Sequence, residues 1–258
     1  MKPYVTLTSD WHLKDPYISV FKADLLKKVP EALIFDLSHN LKLGAMVQAA
    51  FLLKNCYKRF PEGSLHIFLV ANSLNSQQTP ILVKYDNHYF LGEDNGIFSL
   101  VAPKNECQAY EFKHLPQDGF LNNLILLASW VLTDNLANNV IPYHGLIEKL
   151  GDTWSYNKGE NILEGQIVYI DANYNAVTNI PTEVFRKYIK QGTPFEGILK
   201  VDKRLKINKI YDYYNENELE VYFVENRLGF IEITMYNANI ALLADIRVGE
   251  TLTIKINR

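Results

Sequence analysis

Over residues 4–71 the chain alternates short apolar runs with longer segments of helical period, and few folds accommodate that pattern. Tyr4 to Thr8, Ala32 to Leu37 and Leu65 to Ala71 are β-rich and too short for helices. Short continuous apolar runs of this kind fit strands buried on both faces. Between them, Val20, Phe21, Leu25, Leu26 and Val29 recur at helical spacing within Tyr17 to Val29. Met46, Ala49, Ala50, Leu53 and Tyr57 do the same within Ala45 to Tyr57. Pro16 stands where a helix begins. Strand–helix–strand–helix–strand at this spacing predicts right-handed crossovers and a parallel sheet. Further on, Ile81 to Tyr85, His88 to Leu91 and Ile97 to Ala102 read as strands, with turns at Asp86-Asn87 and Asp94-Asn95-Gly96. Phe120 to Asn135 reads as a buried helix, and His144 to Leu150 as a shorter one with Gly151 as its C-cap.

The pattern changes at Asp152 to Glu160, a polar stretch that reads as a linker. From Ile162 the chain is mostly strands: Ile167 to Asp171, Ala176 to Ile180, Gly197 to Val201, Leu219 to Val224, Phe230 to Met235 and Thr251 to Ile256. One short helix, Pro181 to Ile189, interrupts them. Many short strands with tight turns predict a small barrel or sandwich. The expected organisation is an α/β domain over 1–151, its mostly parallel sheet flanked by helices, a linker over 152–161, and an all-β barrel domain over 162–258.

Composition narrows the function classes. Hydrophobic residues make up 48% of the 258, which excludes disorder as the main description. Twenty-six basic against 29 acidic residues give a net charge of -3, so no general attraction to nucleic acid or an anionic membrane is expected. The longest apolar stretch, Leu121 to Leu136, is interrupted by Asn122, Asn123 and Asp134 and is not a membrane span. The N-terminus lacks a signal-peptide run, and a cytoplasmic location is the expectation. Cys56 and Cys107 match no CxxC spacing and read as reduced thiols. His12, His39, His66, His88, His114 and His144 show neither HxxxH nor HxH spacing, so neither a metal site nor a cofactor is expected. No GxSxG elbow, GxGxxG turn or P-loop is present. Asp10 directly follows the first strand, where open α/β sheets bind ligands and a carboxylate can accept two hydrogen bonds from a ribose diol; a turn or N-cap aspartate is the structural alternative. Tyr211, Tyr213 and Tyr214 could stack on an adenine or line a subunit contact.

Six segments, taken in order, resemble one family. Thr8-Ser9-Asp10-Trp11-His12-Leu13-Lys14-Asp15-Pro16-Tyr17 resembles the opening T-[ST]-D-F-G-x-x-D-x-[YF] of the S-adenosylmethionine hydroxide adenosyltransferases, which also include fluorinases and chlorinases. Asp36-Leu37-Ser38-His39 is similar to D-[IL]-[ST]-H, and Phe60-Pro61-Glu62-Gly63-Ser64-Leu65-His66 to F-P-x-G-[ST]-[VI]-H. Tyr89-Phe90 through Asp94-Asn95-Gly96 resembles Y-F-x-x-P-[DN]-N-G. Gly165 to Ile180 resembles G-x-V-x-x-I-D-x-F-G-N-x-x-T-N-I, and Asn226 to Ile233 resembles N-S-x-G-x-L-E-I-A. The resemblance implies an α/β domain followed by a β-barrel, a homotrimer with ligand between subunits, and conversion of S-adenosylmethionine and water to adenosine and methionine. It implies ligand-binding roles for Asp10 on the ribose, Asp15 and Asp171 near the methionine end, Asn175 on the adenine edge, Tyr214 as a stacking aromatic, and Asn226.

The departures are as telling. The hydrolases carry D-P-G-V-G-x-x-R and F-H-x-R-D-[IV]-F, whose Asp, Arg and His act on the attacking water. Here those three positions read Ala71, Gln78 and Gly119, and His114 is the nearest substitute base. The halogenase residues are absent too, with Ala71, Leu74 and Phe120 in their places. Asn173-Tyr174 replaces Phe-Gly, and Arg227 replaces the serine of N-S-x-G. Three readings follow: a weak S-adenosylmethionine hydrolase, a non-catalytic protein binding S-adenosylmethionine or adenosine, or an interaction protein keeping only the fold.

Overall fold

The computed structural model of the chain describes residues 3–72, 79–114, 119–149, 151, 153–201 and 205–257. The chain divides into two compact units, Met1–Gly151 and Asp152–Arg258. The first contains β1 (Tyr4–Ser9), α1 (Tyr17–Lys28), β2 (Leu33–Ser38), α2 (Met46–Cys56), β3 (Leu65–Leu69), β4 (Pro80–Tyr85), β5 (His88–Glu93), α3 (Ile97–Val101), β6 (Gln108–Phe112), α4 (Phe120–Leu132) and β7 (Val140–Pro142). Its strands form one sheet in the order β2-β1-β3-β5-β4-β6-β7. β2, β1, β3 and β5 run parallel; β4, β6 and β7 extend the sheet with antiparallel pairs.

The parallel half is built as its sequence dictates. β1 is buried from Val5 to Ser9, with neighbours on both edges, which is why it carries no charged residue. α1 buries Ile18, Phe21 and Leu25 at helical spacing and ends on Lys27 and Lys28, which favour its carbonyl end. Val5, Leu7, Phe21, Leu25, Leu65 and Ile67 join Leu124 and Leu127 of α4 in one core. Asp86 and Asn87 both take positive φ, the two-residue reversal that a tight β4–β5 hairpin needs.

Three local expectations are corrected, and two strands had no expectation to match. Ile97 to Ala102 is the helix α3, because Gly96 turns left-handed and Asn95 Oδ1 accepts the Ile97 amide at 3.2 Å, starting a helical turn. The six residues from His144 to Lys149 hold no helix: the Ile147 and Lys149 amides donate to the Asp94 carboxylate and Ser99 Oγ instead of carbonyls one turn back. β6 and β7 lie in segments too polar or too short to register as strands. The linker expected at 152–161 contains a strand, β8 (Ser155–Asn157), paired with the start of the next one.

The second unit contains β8, β9 (Ile162–Ile170), β10 (Ala176–Pro181), α5 (Thr182–Tyr188), β11 (Phe195–Leu199), β12 (Lys206–Ile207), β13 (Ile210–Tyr211), β14 (Tyr222–Glu225), β15 (Phe230–Thr234), α6 (Ile240–Leu243) and β16 (Thr251–Ile256). β12-β11-β16-β9-β10-β15-β14-β13 form a strongly curled half-barrel sheet, with β8 on β9. Ile167, Ile180, Ile231, Ile254 and a cluster of Phe185, Phe195 and Phe223 fill its inside.

Candidate functional site

Parallel strands deliver their following loops to one edge of the sheet, and β1, β2 and β3 bring Asp10, His39 and Ala71 there. Asp10 is 4% exposed. Its Oδ2 accepts the Gly44 amide at 2.8 Å and the Ala71 amide at 3.0 Å, so one carboxylate ties together the loops after β1, β2 and β3. Both of these bonds go to Oδ2, and none to Oδ1 is found among the described residues. Asp10 is thus neither the N-cap of α1, a place Pro16 holds, nor a simple turn aspartate.

Asp10 and Asp15 line a cavity of about 520 Å³ with Trp11, Tyr17, Phe21, Leu121 and Asn122. The aromatic and aliphatic side chains give it apolar walls, and Asp10, Asp15, Asp24 and Asn122 bring polar groups to it. Beneath it, Ser9 Oγ lies 2.7 Å from His39 Nδ1, and His39 Nε2 lies 2.9 Å from Asp36 Oδ1. Burial acts to raise the Asp36 carboxyl, but the bonds from Lys22 and His39 prevail and hold it below the usual range. Ser9 and His39 are buried, so this serine–histidine–aspartate chain braces the Asp10 loop and offers no nucleophile to solvent. The brace went unread in the sequence because its members are 27 residues or more apart, apart from the Asp36–His39 spacing inside the D-x-S-H segment.

The positions of the water-activating set are placed only in part. Gln78 lies outside the described residues. Ala71 adopts φ +55, a left-handed conformation that aspartate tolerates better than alanine. Gly119, at φ +80, opens α4, and a Cβ there would meet nothing within 4 Å. His114 is exposed, two residues beyond the end of β6.

The second unit sets Asn226, Tyr214 and Asn175 along β15, against Phe230, Glu232 and Thr234 in turn, with Asp171 against Asn175. Asp171 Oδ1 accepts the Asn173 and Asn175 amides at 2.9 and 2.8 Å, and Asp171 Oδ2 accepts Asn175 Nδ2 at 3.1 Å. This tight turn holds Tyr174 at φ +61. The glycine at that place in the resembling motif is explained by the conformation, and Tyr174 adopts it under strain. Thr234 Oγ1 donates to Asn175 Oδ1 at 2.7 Å. Among the described residues the Asn175 amide uses one of its two N–H groups and one of its two lone pairs. Asn226 Oδ1 accepts the Leu228 and Phe230 amides, while its Nδ2 donates to Glu232 Oε2 at 3.2 Å. Tyr214 OH donates to Glu232 Oε1 at 2.7 Å, and the ring remains half exposed. Burial and the Glu232 bond raise the Tyr214 phenol far above its ordinary range. Glu232 and Thr234 were not singled out in the sequence. The available signal was a carboxylate between Ile231 and Ile233 in a strand otherwise written for a core.

Among the described residues no group of three or more His, Cys, Asp and Glu could hold a metal ion, and no helix is long and apolar enough to cross a membrane. Both cysteines are free, and burial raises each thiol.

Residues 5–123 match the model of the SAM hydroxide adenosyltransferase N-terminal domain, and residues 165–253 that of its C-terminal domain. The (R)-S-adenosyl-L-methionine hydrolase of Methanocaldococcus jannaschii is 25% identical over 253 residues, spanning 94% of this chain and 92% of that protein. The (R)-S-adenosyl-L-methionine hydrolase of Thermus thermophilus is 31% identical over 100 residues, 39% of this chain and 38% of that one. Among solved structures, an uncharacterized conserved protein from Thermotoga maritima superposes with a TM-score of 0.80 at 20% identity, covering 98% of this chain and 99% of that one. A conserved hypothetical protein from Thermus thermophilus gives 0.71 at 18% identity over the whole of both. At these identities the two structures establish a shared fold.

Proposed function

This chain belongs to the SAM hydroxide adenosyltransferase family, and on that premise we propose that it binds S-adenosylmethionine and hydrolyses it slowly to adenosine and L-methionine. A water oxygen bonds to the ribose C5′ in line with the leaving sulfur. The C5′–S bond breaks with its electron pair going to sulfur, the sulfonium becomes a neutral thioether, and one water proton passes to solvent. With so good a leaving group the protein's task is alignment and controlled hydration of the nucleophile.

The observation that carries this reading is Asp10, locked by the Gly44 and Ala71 amides at the wall of the cavity. A carboxylate already oriented by two backbone donors suits a vicinal diol, because its remaining oxygen is preset. Asp15 offers an acceptor for the methionine ammonium, Asn175 an amide for the adenine edge, and Tyr214 a ring face for stacking. Slow turnover follows from the absent base: each general acid–base role is worth about 10²–10⁴-fold. Ala71 and Gly119 also favour a second reading, a protein that binds the adenosyl group and does not turn it over. The resemblance further implies a homotrimer acting in the cytoplasm, and analytical sedimentation tests the trimer.

The deciding experiment is chromatographic detection of adenosine in ¹⁸O-labelled water, alongside thermal shift with S-adenosylmethionine and with adenosine. The hydrolase reading expects labelled adenosine above the uncatalysed rate, lost in Asp10→Asn. Binding without product selects the second reading. A ligand at about 100-fold its Kd stabilises a fold by about 2.7 kcal/mol, so a folded chain that shifts with neither compound overturns both.

A further inference from the structure

We propose that Glu232 is a positioning residue of the adenosyl site, a single buried carboxyl that clamps Tyr214 and Asn226 before ligand arrives. The inference rests on the S-adenosylmethionine reading above. Tyr214 lies in the loop between β13 and β14, and Asn226 in the loop between β14 and β15. The two loops share one anchor: Oε1 receives the Tyr214 hydroxyl at 2.7 Å and Oε2 the Asn226 amide at 3.2 Å. Glu232 is 3% exposed, and among the described residues no lysine, arginine or histidine forms an ion pair with it. A carboxyl in that setting is costly, and an apolar side chain would serve the strand's packing as well or better. Its two oxygens serve donors that come only from the loops carrying predicted ligand groups. Thr234, two residues on and therefore on the same face of β15, holds Asn175 in the same manner. One strand face thus fixes three of the four ligand groups predicted in this unit. Presetting a tyrosine ring and a carboxamide removes rotamer freedom that binding would otherwise have to freeze.

The test uses the full chain and the variants Glu232→Leu, Glu232→Gln, Tyr214→Phe and Asn226→Ala, with adenosine and S-adenosylmethionine titrated calorimetrically. Glu232→Leu is expected to weaken adenosine binding at least tenfold and to raise KM more than it lowers kcat. Glu232→Gln, which keeps an acceptor, restores most of the affinity. In a double-mutant cycle Glu232→Leu adds little once Tyr214→Phe and Asn226→Ala are present. A ligand-free readout runs beside these: the Glu232 bond predicts an observable Tyr214 hydroxyl proton in the low-temperature spectrum of the parent, identified by its loss in Tyr214→Phe, and lost likewise in Glu232→Leu. Parent-like affinity in Glu232→Leu, or additive losses in the cycle, overturns the proposal; so does a surviving hydroxyl proton. If Glu232→Leu fails to fold, Glu232→Met, which also lacks an acceptor and is close to glutamate in length, takes its place in the cycle and in the proton measurement. A parent that binds neither compound removes the functional reading, whereas an unmoved hydroxyl proton removes the clamp.

Discussion

At the scale of single residues, two strained or buried groups make stability predictions with definite sign. Ala71 holds φ +55 because its amide must reach Asp10. A left-handed alanine costs roughly 1–2 kcal/mol, and glycine's extra unfolded-state freedom costs roughly 0.5–1 kcal/mol in return. Ala71→Gly is therefore expected to stabilise the protein by about 0.5 kcal/mol or more, read from the urea midpoint; an unchanged or lower midpoint counts against the assigned strain. The second group is a histidine pair. His66 Nδ1 lies 2.8 Å from Thr6 Oγ1, and its Nε2 lies 3.1 Å from His88 Nδ1. Burial, with His88 adding to it, lowers the His66 pKa to about 3, and burial lowers His88 as well. The folded protein then declines a proton that the unfolded chain takes up below about pH 6.5. Stability from this group is complete above that pH and falls as pH drops toward 3, by about 1.4 kcal/mol per pH unit at most. His66→Asn keeps hydrogen-bonding capacity without titrating in that window. Denaturation at pH 7, 6 and 5 should show a flatter dependence in the variant, and equal slopes would refute the assignment.

At the scale of elements, close approach between strands sets the tolerances. A methyl on Gly92 of β5 would meet two ring carbons of Phe68 at 2.5 and 2.6 Å and the Phe68 carbonyl oxygen at 2.8 Å. The ring has little room to yield, since it packs edge-on against Phe98 of α3 with centroids 4.9 Å apart. Gly92→Ala should destabilise by about 1–3 kcal/mol, seen as a lower thermal midpoint; an unchanged midpoint would mean the β3–β5 region relaxes freely. The same scale shows what could be read in advance. β1, β2 and β3 were legible as strands because each is a short apolar run, although β2, expected to be buried, is a largely exposed edge strand; α1 was legible from its helical spacing and α4 from its long apolar run. α3 was not, since Ile97 to Ala102, apolar but for Ser99, is too short to show a period and its start is decided by Gly96 and Asn95. Residues 144–149 looked helical, but their amides are claimed by Asp94 and Ser99, which lie about 50 positions earlier. No local pattern encodes such a long-range competitor.

For the whole molecule, the chemistry divides into what fold-wide motifs carry and what long-range hydrogen bonds decide. Asp10, Asp171 and Asn175 were legible as site candidates from ordered segments of the chain, and each proves to be anchored by backbone or side-chain bonds rather than free on the surface. Glu232 and His39 were not, because what gives them a role is a partner on another loop or strand, Tyr214 for Glu232 and Ser9 for His39, and only folding brings each pair into contact. The same contrast predicts how activity can be regained. The positions where the resembling hydrolases carry a water-activating set read Ala71, Gln78 and Gly119, while Asp10, proposed for the ribose, keeps its anchors and braces. Ala71→Asp places a carboxylate where the backbone tolerates aspartate better than alanine, and the Cβ of Gly119→His meets no described atom within 4 Å but takes an unfavourable positive φ. The left-handed histidine costs about 1–3 kcal/mol, so the triple variant Ala71→Asp, Gln78→Arg, Gly119→His should melt lower than the parent. Its adenosine release should nonetheless rise at least 10²-fold, the low end of one restored acid–base role. Single variants should give little, because a base, its orienting partner and a charge on the water act as a unit. Initial rates at saturating S-adenosylmethionine, taken well below the melting temperature, check this. A folded triple variant no faster than the parent would show that these three positions do not face the reacting carbon.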